Sequence, residues 1–345
     1  MATVPPLSVV MPVHNALPHL DEAVLSILGQ SFGNFEFLIL DDGSTDGSTE
    51  SLREWARRDR RIRLLEGKRR LGPAGSSARI VSQASAPIVV RMDADDLSRP
   101  DRLQRQMQVL AENPSAGLVG CLCEIIDADG RPVRPADPWR LIRPSPLAPF
   151  THGTIMFRRD LFERLGGYDE TRNFWEDIDL CLRLARSAPA LVIPEALYVV
   201  RLSATSTRLT TPRQEVEAAY DQMFRFLAEY RRGRAFDPRT QGGANGADDR
   251  IAPQAMILMA SPTLWAGRAP RIFRRLLSRG ALKWDCASAA ALGWSLWAAI
   301  SPASLRISLR LLNNFRNARA RRRLAGAAYV EWRTGPHPAQ EQLKQ

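Results

Sequence analysis

The sequence has few cysteines, and their positions exclude two common kinds of cysteine-dependent fold. Only four occur among 345 residues, and they are Cys121, Cys123, Cys181 and Cys286. Their spacing fits no common zinc-ligand pattern and gives no disulfide framework. We therefore expect buried, reduced thiols in a protein of a reducing compartment.

The N-terminus lacks the basic start of a secretion signal. Residues 1–6 contain no Lys or Arg, and an apolar stretch typical of a strand follows directly. A signal peptide places basic residues before its apolar segment. This predicts cytoplasmic synthesis and residence, at least for the N-terminal part. The chain also shows no internal repeat.

The composition is that of a globular protein long enough for two domains. Hydrophobic residues make up 45% and charged residues 25% of the chain. The net charge of +11 is uneven, because residues 301–345 hold nine Lys/Arg and only two Asp/Glu. Such a basic tail favours either nucleic acid or an anionic membrane surface as a partner.

Strand-like and helix-like stretches alternate through the first third of the chain. Helical periodicity separates four apolar, β-prone segments, at residues 7–13, 35–40, 61–65 and 88–92. This order predicts an α/β, Rossmann-like, mostly parallel sheet with helices on both faces.

The regular alternation of strand-like and helix-like stretches ends after Asn113. Further strands are expected at residues 117–126, 151–157, 191–193 and 197–202, with a long loop at 131–149 that contains six prolines. We predict a first domain over 1–210, divided near 115 into two halves. Residues 211–345 are expected to form a mainly helical C-terminal region, with a linker or loop at 235–253.

Three carboxylates follow the fourth predicted strand. The apolar run 88–90 leads into Asp93, Asp95 and Asp96. Like charges this close repel, and a divalent cation removes the conflict. Mg²⁺ typically takes one or two protein carboxylates together with substrate phosphates. The alternative is a solvated acidic turn before the helix that Pro100 opens.

Polar residues also follow the first two strands. His14-Asn15 ends the first, and Asp41-Asp42 ends the second. In a parallel sheet the carboxyl ends of strands meet at one edge, where open α/β sheets bind ligands. The sequence therefore predicts a ligand site shared by three strand ends.

These stretches together resemble the inverting family 2 glycosyltransferases, which have the A-type glycosyltransferase fold. The resemblance covers about residues 7–210, and it implies that residues 1–210 are the catalytic domain, with a nucleotide-sugar half at about 1–115 and an acceptor half at about 116–210. The matching segments are Ser8–Asn15, Ser26–Ser31, Asp41–Gly47, Asp93–Asp96, His152–Thr154 with Phe157–Arg159, and Glu176–Leu180. The chain departs from common members at Ile80, where many have Asn, and at Ser203, where a His is frequent.

The resemblance implies roles for particular residues. Pro12 and His14 would line the base pocket, and Asp42 would contact the base. Arg79 would face the diphosphate or the base. Asp93 would touch the ribose or sugar. Asp95 would bind Mg²⁺ or Mn²⁺ through the donor diphosphate.

The same resemblance makes Asp177 the general base. At a helix start the dipole favours an ionised carboxylate, but an ordinary helix N-cap is the structural alternative. Asp179 is interpreted as structural, paired with Arg183 one helical turn on. The acceptor side is assigned to three residues, which are His152, Trp175 and Glu176. For His152, a hydrogen-bonded structural histidine remains the alternative.

The implied function is metal-dependent inverting transfer from a UDP- or GDP-sugar to a hydroxyl of a glycan or lipid-linked acceptor, in surface polysaccharide or glycolipid synthesis. One alternative is a nucleotidyltransferase that makes sugar nucleotides, although the glycine-rich phosphate loop expected after the first strand is missing. The other is a non-catalytic nucleotide- or metal-binding protein. An EF-hand beginning at Asp42 fails because Arg53 stands where Glu is required. A nucleic-acid partner is not expected, since it leaves the acidic strand ends unexplained.

The C-terminal region contains one long uncharged run. Residues 286–305 carry no charge but include four Ser, a Gly and a Pro, which is weak for a membrane-spanning helix. Residues 306–323 then mix arginines with apolar residues, a pattern typical of an amphipathic helix on anionic lipid. Peripheral contact with the inner face of the cell membrane is the expectation, and a soluble helical subdomain with a basic face is the alternative.

Overall fold

The computed structural model describes residues 4–136, 150–172, 175–202, 212 and 317–332. The described residues up to 202 and residues 324–332 belong to one compact unit. Residues 317–323 belong to a second unit and are helical. Expectations for a helix at 216–230, a linker at 235–253 and the uncharged run 286–305 lie outside the described residues.

The first 91 residues contain four parallel strands. They are β1 (Leu7–Val13), β2 (Glu36–Asp41), β3 (Ile62–Glu66) and β4 (Ile88–Arg91), in the order β4-β1-β2-β3. The register pairs Val13 with Asp41 and Val10 with Arg91. All of these pairs are parallel, as the alternating sequence pattern predicts.

The rest of the described chain extends the same sheet with mixed directions. Its strands are β5 (Leu97–Ser98), β6 (Leu118–Ile126), β7 (Pro132–Arg134), β8 (Met156–Arg158), β9 (Ala190–Arg201) and β10 (Val330–Trp332). β8 lies antiparallel between β4 and β6, and β9 is parallel to β6. β5 and β10 pair with β9, and β7 pairs with β6.

Helices connect the strands across the sheet. They are α1 (Leu20–Leu28), α2 (Ser48–Arg58), α3 (Gly72–Ser82), α4 (Arg102–Glu112), α5 (Arg159–Arg164) and α6 (Glu176–Ser187). Leu20, Ala23, Val24 and Ile27 of α1 are buried at helical spacing. They pack in one hydrophobic cluster with side chains of the central strands, so the core lies directly beneath the strand ends that carry the polar residues.

The predicted α/β class is confirmed, and four details of the sequence reading are wrong. Residues 152–154 form a 3-10 turn instead of the start of a strand. The strands expected at 191–193 and 197–202 are one strand, β9. β7 lies within the segment predicted as an irregular loop. β10 lies in the region predicted to be helical, because it completes the sheet edge beside β9.

The described cysteines agree with the expectation of reduced thiols. Cys121, Cys123 and Cys181 are free, and Cys121 and Cys181 are buried. Burial raises the pKa of Cys121 to about 12, which keeps its thiol protonated. Among the described residues, no helix combines the length and apolar character needed to cross a membrane.

Candidate active site

The structure brings the first two polar strand ends into direct contact. Beyond the β1–β2 ladder, the amide of Asp42 donates to the carbonyl of Val13 at 2.7 Å. His14 Nδ1 lies 3.1 Å from the carbonyl oxygen of Asp42. A carbonyl only accepts, so Nδ1 carries the hydrogen, and in the neutral ring Nε2 remains an acceptor. Pro12, half-buried, lies one residue before the end of β1.

Asp42 is buried, and its carboxylate holds the start of α3. Oδ1 accepts from the amide of Leu71 at 2.7 Å, and Oδ2 accepts from the amide of Gly72 at 2.9 Å. Each carboxylate oxygen can accept more than one hydrogen bond. Asp42 is therefore fixed in place and retains acceptor capacity for a ligand N–H. The carboxylate of its neighbour Asp41 instead accepts hydrogen bonds from Ser44 N and Thr49 Oγ1. These bonds stabilise the segment between β2 and α2.

Arg79 lies on α3, seven residues after Gly72. Its side chain is exposed, and it makes no hydrogen bond or ion pair with the part of the chain that the structure describes. At about 1.5 Å per residue, its Cα stands roughly 10 Å along the helix axis from the residues that Asp42 holds. The long side chain would have to reach back to meet a nucleotide, so its assignment stays a prediction.

The third strand end carries what we call the carboxylate turn, residues Asp93–Asp96. The amide of Met92 donates to the carbonyl of Val10 at 3.0 Å, which keeps the turn beside the end of β1. Arg91 Nη2 pairs with Asp93 Oδ1 at 2.9 Å. This ion pair fixes the first carboxylate of the turn.

Burial and crowding raise the pKa values of the other two carboxyls. Burial first, and then the charge of Asp93, raise the pKa of Asp95 to about 6. Burial, Asp93 and Asp95 raise the pKa of Asp96 well above its usual value. Buried and crowded carboxyls hold protons more readily, and a bound cation would relieve this conflict.

The donor set fits a metal that takes most of its ligands from the substrate. The half-buried carboxylate of Asp95 makes no ion pair with the side chains that the structure describes. Within the same residues, no group of three or more His, Cys, Asp or Glu side chains is placed to hold an ion. Mg²⁺ and Mn²⁺ sites built from one or two carboxylates plus phosphate oxygens have this composition.

The start of α6 faces the carboxylate turn. Glu176 is buried and its Oε2 has no hydrogen-bond partner among the described residues. Burial and then Asp177 raise the pKa of Glu176 to about 7. Arg91, at the end of β4, lowers this pKa, and Asp93 of the carboxylate turn raises it. The first residues of α6 and the carboxylate turn therefore share one electrostatic environment.

Asp177 lies in the first turn of α6, one residue after the helix begins. The residue at the N-cap is Trp175, so the N-cap alternative for Asp177 is wrong. Asp177 is half-buried, and its Oδ1 accepts from the amide of Ile178 at 2.8 Å. Trp175 is buried with the guanidinium of Arg172 4.2 Å from its ring centre.

His152 lies in the 3-10 turn before β8. Its Nε2 is 2.7 Å from the hydroxyl of Tyr168. Burial and then the charge of Arg91 lower its pKa to about 3, so the ring is neutral at physiological pH. The histidine is hydrogen-bonded within the protein, as the structural alternative expects, and it also lies within the electrostatic reach of Arg91. Its acceptor role stays a prediction.

Three residues that hold the carboxylate turn, or the end of β4 before it, are not predicted from the sequence: Tyr198, Arg102 and Arg201. The amide of Asp93 donates to the hydroxyl of Tyr198 at 3.1 Å. Arg102 is fully buried and donates to the carbonyls of Arg91 and Gly153 at 2.9 and 2.6 Å. Arg201 contacts the turn as well. Arg201 gave a weak signal in the sequence, as a charge inside the apolar segment 197–202, but the sequence does not show which residues it meets.

Both the sequence and the fold match known proteins. The sequence model described as "Glycosyl transferase family 2" matches residues 8–166. EpsE of Bacillus subtilis (strain 168), whose name describes it as a glycosyltransferase, is 35% identical over 207 residues, covering 57% of this chain and 73% of EpsE. The O-antigen biosynthesis glycosyltransferase WbnJ of Escherichia coli is 27% identical over 211 residues, covering 59% of this chain and 82% of WbnJ.

A solved structure shares the fold. The mannosyltransferase PcManGT from Pyrobaculum calidifontis, in complex with GDP-Man and Mn²⁺, superposes with a TM-score of 0.58 at 22% identity. The match covers 94% of this chain and 88% of that protein. This likeness supports the A-type glycosyltransferase fold expected from the sequence.

Proposed function

Because the chain belongs to glycosyltransferase family 2, we propose that it transfers a sugar from a UDP- or GDP-sugar to an acceptor hydroxyl, with a divalent metal and with inversion at the anomeric carbon. The relatives and the fold establish a glycosyltransferase. The donor nucleotide, the metal and the stereochemical course are the proposal. The nucleotidyltransferase and non-catalytic alternatives lose their support, since the relatives are named for sugar transfer.

The donor base would lie against the ends of β1 and β2. Asp42 is held rigidly by Leu71 and Gly72, so its remaining acceptor sites face a ligand at no cost in side-chain ordering. His14 lies beside it, with Nδ1 3.1 Å from the carbonyl oxygen of Asp42, and Pro12 lies near the end of the neighbouring strand β1. This arrangement supports recognition of a base N–H by Asp42, with Arg79 reaching toward the base or diphosphate.

The metal would be held by Asp95 and by the diphosphate of the donor, with Asp93 directed at the ribose or sugar. Mg²⁺ or Mn²⁺ supplies stabilisation of the charge that develops on the leaving diphosphate. Arg91 holds Asp93 at 2.9 Å and leaves Asp95 unpaired among the described side chains. The protein's own contribution is thus a carboxylate kept available at the strand end.

Asp177 would act as the general base. The acceptor hydroxyl gives its proton to the Asp177 carboxylate, its oxygen bonds to the anomeric carbon, and the nucleoside diphosphate leaves from the opposite face. The position in the first turn of α6 favours the ionised carboxylate before the reaction. Glu176, His152 and Trp175 would border the acceptor or the transferred sugar.

One observation carries the proposal. The start of α6 and the carboxylate turn lie close enough that Glu176 experiences the charges of both Arg91 and Asp93. This supports a base at the start of α6 and a metal ligand on the carboxylate turn acting on the same bound substrates. The test is release of nucleoside diphosphate from UDP-, GDP- and dTDP-sugars with Mn²⁺ or with EDTA. The expected result is metal-dependent release from one donor class. Release from none, with folded protein and varied acceptors, counts against the proposal.

The name of one relative supports a class of acceptor, and the charge of the C-terminal tail supports a cellular location. WbnJ is named for O-antigen biosynthesis. We propose a surface polysaccharide or lipid-linked glycan as the acceptor, and cytoplasmic action at the inner face of the membrane. The charge of the C-terminal tail supports contact with anionic lipid.

A further inference from the structure

Arg201, the last residue of β9, lies directly beneath the carboxylate turn. Its side chain is only 3% exposed. All three guanidinium nitrogens bind the protein: Nε donates to the carbonyl of Asp95 at 3.2 Å, Nη1 donates to the carbonyl of Ala128 at 3.1 Å, and Nη2 pairs with Glu22 Oε2. The backbone amide of Arg201 donates to Asp96 Oδ1 at 2.8 Å.

These contacts connect elements that are far apart in the chain. Glu22 belongs to α1, and Ala128 lies just after β6. Tyr198, also on β9, accepts from the amide of Asp93 at 3.1 Å. β9 therefore holds the turn at three successive places, through Asp93, Asp95 and Asp96. The turn is held at the backbone of Asp93 and of Asp95 and at the carboxylate of Asp96, which leaves little freedom to redirect the Asp95 side chain.

The choice of acceptor atom on Asp95 matters for the chemistry. Arg201 binds the peptide oxygen of Asp95 and forms no ion pair with its carboxylate. A guanidinium placed on the carboxylate would compete with a cation for the same oxygens. Bound to the peptide oxygen, it restrains the residue and does not occupy the carboxylate oxygens. Its charge also partly offsets the repulsion among the crowded acids.

We propose that Arg201 is a positioning residue that holds the Asp95 carboxylate in the orientation that binds the metal–diphosphate complex. The inference rests on the proposed metal role of Asp95. Residues that support a metal ligand from outside its coordination sphere typically change metal affinity by about 10–100-fold. A residue that only stabilised the fold would affect nucleotide binding equally with and without metal.

The experiment uses the full chain and three variants, Arg201→Gln, Arg201→Lys and Arg105→Gln. Arg105 is the matched control, because it pairs with Glu195 of β9 at 2.7 Å, on the surface. Calorimetric titration measures UDP and GDP affinity with Mn²⁺ and with EDTA, and electron paramagnetic resonance measures bound Mn²⁺. Circular dichroism confirms folding.

We expect Arg201→Gln to weaken Mn²⁺ binding in the nucleotide complex by about 10–100-fold, with nucleotide affinity in EDTA unchanged. Arg201→Lys should also be weakened, because an ammonium cannot reach three divergent acceptors at once. If Arg201→Gln does not fold, the Arg201→Lys variant tests the inference by itself. Arg105→Gln should behave as wild type.

Two results overturn the inference alone: equal losses with and without metal, or full Mn²⁺ affinity in Arg201→Lys. If the wild-type protein binds nucleotide identically in Mn²⁺ and EDTA, the proposed metal role fails first and the inference fails with it. Wild-type metal dependence with an unaffected Arg201→Gln leaves the proposed function standing and removes Arg201 from it.

Discussion

Within α6, the carboxylate of Asp179 accepts two hydrogen bonds from Arg183, at 2.8 Å from Nε and 2.6 Å from Nη2. Its other oxygen lies 3.4 Å from Nε of Arg172. Asp179 is almost fully buried, and its carboxylate is paired with these two arginines. Asp177, two residues earlier, is half-buried at the start of the helix. Asp179 is therefore a structural residue, whereas Asp177 is the candidate for the general base.

Asp177→Asn should reduce kcat by about 10²–10⁴-fold, the usual contribution of a general base. Asn keeps the size of the side chain but cannot take up the acceptor proton. Donor affinity should be nearly unchanged, because the base and metal contacts are assigned to Asp42, Asp93 and Asp95. Turnover and donor Kd, measured once a substrate pair is found, check this prediction.

Asp179→Asn is the paired control, and it should act on stability instead. The change leaves the buried charge of Arg172 and the Arg183 donors less well matched, at a cost of about 1–3 kcal/mol in the free energy of unfolding. Denaturant unfolding measures that loss. A folded but inactive Asp179→Asn beside a near-normal Asp177→Asn would show that the base is assigned to the wrong residue.

Asp95→Asn should abolish most metal-dependent nucleotide binding and most transfer. An amide oxygen lacks the negative charge of a carboxylate and is a much weaker ligand for Mg²⁺ or Mn²⁺. Asp101→Asn is the control, since Asp101 is exposed just before α4 and its side chain makes no capping hydrogen bond. Nucleotide titration with Mn²⁺ measures both. Wild-type Mn²⁺-dependent affinity in folded Asp95→Asn removes Asp95 as a ligand.

The polar strand ends could be predicted from the sequence because each signal is local. The apolar run of β4 and the acids that follow it are adjacent in the chain, and parallel pairing then brings Asp42 and Asp93 to one edge. Tyr198 and Arg201 could not be found this way. They meet Asp93 and Asp96 from 105 residues away, through a strand whose pairing the sequence does not specify. β10 was missed because three residues at a sheet edge show no period.

The ring of His152 should stay neutral across physiological pH. Its pKa is lowered to about 3 by burial and by Arg91, so its NMR resonances should not titrate between pH 5 and 8. A histidine whose pKa is depressed on folding contributes stability that is present above 6.5 and is lost as pH falls from there toward 3. His19, whose pKa is lowered first by burial and then by Arg201, provides the comparison spectrum. Titration of His152 near pH 6.5 would contradict the buried, neutral assignment.

The basic tail should bind anionic membranes. Arg319, Arg321, Arg322 and Arg323 are exposed, and each basic residue near an anionic surface contributes about 1 kcal/mol. Full-length protein should float with phosphatidylserine-containing liposomes and not with phosphatidylcholine alone. Changing these four arginines to Gln should reduce flotation. Equal flotation of both proteins, or none by either, removes this surface as the membrane contact.

The most direct test of the proposed chemistry is the configuration of the transferred sugar, read from the anomeric coupling in the NMR spectrum of the product. An enzyme that uses Asp177 as base and Asp95 as metal ligand should convert an α-linked UDP- or GDP-sugar into a β-linked product. It should do so with Mn²⁺ or Mg²⁺ and not in EDTA. An α-linked product, or the same rate in EDTA, would contradict the account.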